Sequence, residues 1–142
     1  MHESRSDGLE RTGASTCDLR PSYIPPDKIE VSHFAPAAEL SPYVTQIYFF
    51  RCDEPAIRDR QPAALGHLIF LLSGRGTLKF QNGDMVEVAD ATVFGPGLAA
   101  AEFDFEGPLY DLGFALSPLG FVALTGKAAN LYADKAVPAA EL

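Results

Sequence analysis

The chain has 142 residues, 47% of them hydrophobic, and a formal net charge of −8 at pH 7. This length and composition suit one globular domain with a substantial core and exclude a wholly disordered chain. Because nucleic-acid binding depends largely on the neutralisation of phosphates, the negative charge indicates that this segment makes no direct contact with nucleic acid.

The N-terminal region predicts a disordered tail on a cytoplasmic protein. Residues 1–22 are polar and rich in turn-forming residues. They lack the apolar stretch of a signal peptide, and no apolar run in the chain approaches the length of a membrane span. Cys17 and Cys52 lie far apart without a Cys-x-x-Cys spacing, which favours two reduced thiols and leaves a disulfide as the alternative.

Segments rich in β-branched and aromatic residues predict a series of strands within residues 23–116. In chain order they are 29–34, 44–51, 67–72, 77–81, 85–88, 91–94, 99–105 and 109–116, with a charged loop over residues 52–65. Turns are predicted at Gly74-Arg75-Gly76, at Asn82-Gly83 as a type I′ hairpin turn, and at Gly107-Pro108. The last turn would join the two final strands in a hairpin.

The strand over residues 99–105 has the clearest alternation. Ala101, Phe103 and Phe105 fall on one face, and Glu102, Asp104 and Glu106 fall on the other. The pattern predicts a half-buried antiparallel strand with a solvated outer face. Many short strands followed by helices favour a mainly β fold, a small sandwich or barrel with a helical appendage.

Residues 117–142 predict short helices. Ser117-Pro118 is a capping pair for an apolar helix over residues 119–124, which Gly126 is placed to end. A second helix is predicted over residues 127–132, and a third segment begins at Asp134. Because a solvated last helix would need more residues, we expect the chain to be cut before a linker and a further domain.

The sequence LSPLGFVALTG followed by AANLYADKAVPAAEL resembles the end of the sensor domain in AraC-type transcriptional regulators. The segments LSPYVTQIYFF, GHLIFLLSG and VFGPG agree in order, so the resemblance covers roughly residues 29 to 142. Two positions depart from the family pattern. Phe121 replaces the usual tryptophan, and Lys135 replaces the usual arginine.

The resemblance implies a cupin-like antiparallel β-barrel or sandwich followed by helices that help to form dimers. It also implies a sensor for a small-molecule effector in the regulation of transcription, acting as a homodimer or in a mixed dimer with a related regulator. Family members usually continue into a paired helix-turn-helix domain that binds DNA, and this chain contains no such pattern. We therefore expect no enzymatic activity.

The cupin shape raises the question of a metal. Catalytic cupins present several histidines and a glutamate, because a divalent metal needs three or four converging donors. Only His2, His33 and His67 are present, without an HxH or HxxxE spacing, so we predict neither a metal nor another cofactor.

Five residues are candidates for a ligand pocket, because a few polar groups among aromatic side chains are typical of such a site. They are Tyr48, Phe50, His67, Tyr110 and Phe114. His67 is also explained as a core histidine bonded to a carbonyl group, and Tyr48 and Tyr110 as core residues with wet hydroxyls. Asp111 is a further polar residue in an apolar strand.

The apolar helix supplies the candidates for a dimer surface, which are Leu119, Phe121, Val122 and Leu124. Their alternative role is ordinary core packing. At the level of the whole chain, the alternatives to a sensor domain are a stand-alone cupin-like small-molecule-binding protein and a metal-dependent cupin enzyme.

Overall fold

A computed structural model describes residues 26–142, which form a mainly β structure with one short α-helix. The strands are β1 (Ile29–Phe34), β2 (Val44–Cys52), β3 (Ala56–Gln61), β4 (His67–Lys79), β5 (Met85–Glu87), β6 (Ala91–Phe94), β7 (Ala101–Leu116) and β8 (Ala136–Pro138). The helix α1 is Pro118–Thr125, and single 3-10 turns lie at Pro26–Lys28, Ala129–Tyr132 and Ala139–Glu141. The predicted fold class, mainly β with short C-terminal helices, is confirmed. The predicted tail, residues 1–22, lies outside the described residues.

The eight strands of residues 26–142 form a single antiparallel sheet centred on β7. β2 and β3 pair with one edge of β7, and β4 pairs with the other along nearly its whole length. β4 in turn pairs with β5 and β6, β1 pairs with β2, and β8 pairs with β6. Alternate side chains of β2, β4 and β7 line one common cavity, so the sheet is curled like a barrel around them.

Two predicted turns lie inside long strands. Gly107-Pro108 lies within β7 and joins no hairpin, because both halves of β7 pair with β4. Gly74-Arg75-Gly76 lies within β4, where the pairing register shifts twice and Gly74 has a φ of 92°. These glycines mark a bulge, at which a strand bends without ending.

The predicted charged loop over residues 52–65 contains β3. Its charged side chains pair across the strands with the acidic outer face of β7. Arg58 contacts Asp104 at 2.6 Å and Arg60 contacts Glu102 at 3.4 Å. The solvated acidic face of β7 is confirmed, and it accounts for a strand in a segment whose composition favours a loop.

The hairpin between β4 and β5 differs from the predicted type I′ turn. Gly83 has a φ of 93°, whereas Asp134 is the only non-glycine residue of the described chain with a positive φ. The N–H of Gly83 donates to the carbonyl of Phe80 at 3.0 Å. A single glycine in the left-handed region therefore closes a longer loop than the two-residue turn expected from Asn82-Gly83.

The start and end of α1 agree with the sequence. The Ser117 Oγ accepts the N–H of Gly120 at 3.0 Å, and Gly126 ends the helix with a φ of 72°. The second predicted helix is only the 3-10 turn Ala129–Tyr132, and the third segment contains β8, which pairs with β6. The segment 117–142 is therefore only partly helical.

The core has two parts. One fills the end of the barrel where β3, β5 and the first half of β7 meet, with the buried residues Cys52, Ile57, Leu78, Phe80, Val88, Phe94, Ala101, Phe105 and Leu109. The other lies beneath α1 and contains Val44, Val93, Leu116 and Phe121. No helix within residues 26–142 is long and apolar enough to cross a membrane.

Candidate functional site

A cavity of about 600 Å³ lies inside the curled sheet. This volume is typical of sites for small organic ligands. Its wall is mainly apolar and aromatic, with side chains from β2, β4, β6 and β7: Tyr48, Phe50, Ile69, Leu71, Leu78, Phe94, Phe103, Phe105 and Leu109. A smaller set of polar residues completes it: His33, Thr45, Gln46, Asp59, Arg60, Gln61, His67 and Asp111.

Asp111 is the acidic group placed deepest among apolar neighbours. It lies in the inner row of β7, opposite Phe50 of β2 on one side and Leu71 of β4 on the other. Its Oδ1 is buried and accepts no hydrogen bond from the described residues. Burial raises the pKa of the Asp111 carboxyl to about 7, because the charged form loses its solvation.

Tyr48 lies beside Asp111 because β7 has no side chain at the next inner position. Gly113 is the register partner of Tyr48, and a Cβ atom at Gly113 would lie 2.0 Å from Cζ of the tyrosine ring. The ring therefore crosses directly over the backbone of β7. Burial, and secondly the negative charge of Asp111, raise the pKa of the Tyr48 phenol.

His67 is held as a neutral imidazole at the start of β4. Its Nδ1 lies 3.2 Å from the carbonyl oxygen of Leu65, and its Nε2 lies 3.0 Å from Nε2 of the Gln61 side chain. Since a carbonyl can only accept, Nδ1 carries the proton and Nε2 accepts from Gln61. Burial lowers the pKa of His67, and its ring stacks on Phe94 at 4.9 Å. The ring is thus a bonded core histidine and also part of the cavity wall.

The five predicted ligand-pocket residues divide between the two faces of the sheet. Tyr48, Phe50 and His67 line the cavity. Tyr110 and Phe114 do not, because inward-facing residues of β7 alternate and these two fall on the outer face. The Tyr110 hydroxyl donates to Asp53, and Phe114 packs edge-on against Phe70. These two residues therefore lie outside the cavity.

Asp111 is the residue that the predicted pocket omits. A single carboxylate in the otherwise apolar stretch of residues 109–116 was the available signal. Its importance became visible only through the inward direction of its side chain and the lack of a bonding partner.

The predicted dimer residues also divide. Leu119, Val122 and Leu124 are exposed on α1, with 56% of Leu119 accessible. Phe121 is 1% exposed and packs against Tyr132 with ring centroids 5.4 Å apart. It belongs to the core of its own chain, which is the alternative role considered for the residues of this helix.

Potential metal ligands do not converge in the described part of the chain. Within residues 26–142, no three side chains of His, Cys, Asp or Glu lie close enough together to hold a metal ion. Cys52 is a buried free thiol in β2, and Cys17 lies outside the described residues.

Comparison with known proteins does not identify the chain. No model of a known protein family matches it. No curated protein matches it significantly either. The cavity and the exposed helix therefore carry the functional argument.

Proposed function

We propose that this chain is a ligand-sensing and dimerisation domain of the kind found in AraC-type transcriptional regulators. The cavity carries the proposal, because its volume and its few polar groups within an aromatic wall suit a small organic effector. The sequence resemblance of residues 29–142 supplies the regulatory role. On this view the domain contacts its effector and a second subunit, and it makes no direct contact with DNA.

The exposed helix supports a dimerising role. Leu119, Val122 and Leu124 place three apolar side chains in solvent within one short helix. Leu119 and Val122 are three residues apart and therefore share one face of the helix, as in a contact surface, whereas Leu124 lies on another side. A two-fold interface would bring α1 of one subunit against α1 of the other.

Short contacts connect the cavity to α1. His67 lines the cavity and bonds the carbonyl of Leu65, and the next residue, Gly66, lies against the ring of Phe121 in α1. A Cβ atom at Gly66 would lie 2.7 Å from Cδ2 of Phe121. A ligand that displaces His67 would therefore also displace Phe121 and the helix α1. The arrangements of α1 with and without this displacement would then differ in their affinity for the ligand.

Analytical ultracentrifugation of the purified chain tests the dimerising role. We expect a reversible dimer that Leu119→Glu converts to a monomer. Met85→Glu is the matched control, because Met85 is similarly exposed but lies in β5, whose partner segment in β4 is at the opposite end from His67. A chain that remains monomeric at millimolar concentration would contradict the proposal and favour a stand-alone small-molecule-binding protein.

A fusion tests the regulatory role. The chain is joined to a DNA-binding domain that represses a reporter gene only as a dimer. Repression that is lost with Leu119→Glu and retained with Met85→Glu supports the proposal. Equal repression by both variants contradicts a role for α1.

A further inference from the structure

The polar chemistry of the cavity is unbalanced towards negative charge. Asp111 presents a buried Oδ1 that has no hydrogen-bond partner among residues 26–142, and Asp59 is a second acidic residue of the wall. Arg60 is the only lysine or arginine among the wall residues of the described chain, and its guanidinium bonds Glu102 on the outer face. The interior therefore favours a ligand that donates hydrogen bonds or carries positive charge.

Asp111 does not stabilise the fold at its position. A carboxyl group flanked by Phe50 and Leu71 loses solvation and gains no bond in return. An apolar side chain of similar size would fill the same space without this cost. A buried polar group that lacks a partner within a cavity is instead a candidate for contact with a ligand.

The aromatic wall adds a second attraction for the same kind of ligand. Tyr48 and Phe50 flank the carboxyl group on β2, and Phe103 and Phe105 line the cavity further along β7. Aromatic faces attract cations, and the attraction increases where water is excluded. Carboxylate and aromatic rings together favour an organic ammonium ion over a neutral or anionic molecule.

We propose that the cavity binds a small organic amine as its ammonium ion, with an N–H group donating to Asp111 Oδ1 and the apolar body lying against the aromatic wall. The inference rests on the proposed function, because it names the ligand class of the same cavity. It assigns to Asp111 the role of counter-ion. It assigns to Tyr48 and Phe50 the role of the adjoining aromatic surface.

Isothermal titration calorimetry on the full chain at pH 8 tests this assignment. The probes are benzylamine, 2-phenylethylamine and tryptamine, each compared with the alcohol of the same carbon skeleton and with phenylacetate as an anion. We expect at least one amine to bind, and to bind more tightly than its alcohol. The Asp111→Asn variant should weaken amine binding about tenfold to a hundredfold, because a charge-assisted hydrogen bond is lost.

Asp90→Asn is the matched control for this substitution. It makes the same chemical change at an exposed carboxyl group that does not line the cavity, and amine binding should be unchanged. Circular dichroism checks that both variants fold. In the wild-type chain, NMR of the Asp111 carboxyl carbon should show its pKa falling when the amine binds, because a bound cation favours the charged form.

The outcomes separate this inference from the proposed function. Equal binding of amines and alcohols, preferred binding of phenylacetate, or no binding of any amine would overturn the ligand class. The dimer measurement could still succeed in each of those cases. Amine binding that depends on Asp111 in a strictly monomeric chain would support the ligand class and refute the dimerising role.

Discussion

Replacing Asp111 with asparagine is expected to change how stability depends on pH. The pKa of the carboxyl group is raised from 3.8 to about 7 in the folded protein. Between about pH 4 and pH 7 the folded state therefore binds more protons than the unfolded state, and the free energy of unfolding contributed by this group falls as pH rises. A change of the pKa from 3.8 to about 7 corresponds to about 4 kcal/mol in the free energy of unfolding. Because the carboxyl group is partly accessible to solvent, we expect about 2–4 kcal/mol.

The effect is measured as a difference between two proteins. The free energy of unfolding is measured in urea for the wild type and for Asp111→Asn at several pH values between about 4 and 8. As pH rises through this range, the stability of the variant should increase by about 2–4 kcal/mol relative to that of the wild type, and at higher pH the difference should stay constant. The other charged or ionisable side chains of the cavity wall are the same in both proteins, so their contributions largely cancel in the difference: His33, Tyr48, Asp59, Arg60 and His67.

The difference is needed because His67 acts in the opposite direction. Its pKa is lowered by burial, so its contribution to stability is lost as pH falls below the ordinary histidine range. The wild-type profile alone would mix the two effects. Parallel profiles for the wild type and Asp111→Asn would refute the reasoning, and Asp90→Asn should give a profile parallel to the wild type.

Two further substitutions test the local geometry by urea unfolding. Gly113→Ala should destabilise the protein by about 1–3 kcal/mol, because the new Cβ would lie 2.0 Å from the Tyr48 ring. Gly97→Ala is the control, because its new Cβ would lie 3.5 Å from the nearest neighbouring atom, and equal effects of the two substitutions would contradict the close packing at Gly113. Ser117→Ala should cost about 1 kcal/mol, because Oγ accepts from Gly120 and donates to a backbone carbonyl; an equal loss with Ser32→Ala, at an exposed position of β1, would contradict the capping role.

Local signals were sufficient for the short elements of the fold. β1 and β6 have the predicted bounds, and β2 differs by one residue. The cap at Ser117 and the end of α1 at Gly126 were also predicted correctly. The cap and the end of α1 depend on interactions within a few residues along the chain, such as the bond from the Gly120 N–H to Ser117 Oγ. The strands pair with distant segments, but their bounds follow local runs of β-branched and aromatic residues.

The long strands depended on distant partners and could not be predicted in this way. The sequence predicts turns at Gly74-Arg75-Gly76 and at Gly107-Pro108. In the structure β4 and β7 pair with each other on both sides of these positions, so neither strand ends there. β3 likewise pairs along its whole length with β7, buries Ile57, and places its arginines against acidic residues more than forty positions away. Pairing over such separations is set by tertiary contacts, which local propensity does not contain.

The site was predicted in composition but not in direction. Of the residues predicted for a pocket, Tyr48, Phe50 and His67 of β2 and β4 line the cavity, whereas the two from β7 do not. Successive residues of a strand point to opposite faces of the sheet, and the sequence does not show which face is inward. The inward row became identifiable only from the structure, where Asp111 lines the cavity and Tyr110 lies outside it. A difference of one position along β7 thus decides whether a side chain lines the cavity or lies on the outer face of the sheet.

The inner row of β7 changes in side-chain size and polarity along the wall of the cavity. Phe103, Phe105 and Leu109 pack into the core near β3 and β5. The row then changes to Asp111 and Ala115, a polar and a small side chain that line the cavity, while the space over Gly113 between them is taken by the Tyr48 ring. Because packing alone favours filling this space, the change in side-chain size is better explained by a ligand than by stability. The cavity wall extends to Ala115, near the end of β7 that leads into α1, so an occupant at this part of the cavity would lie close to the segment that carries the exposed apolar helix.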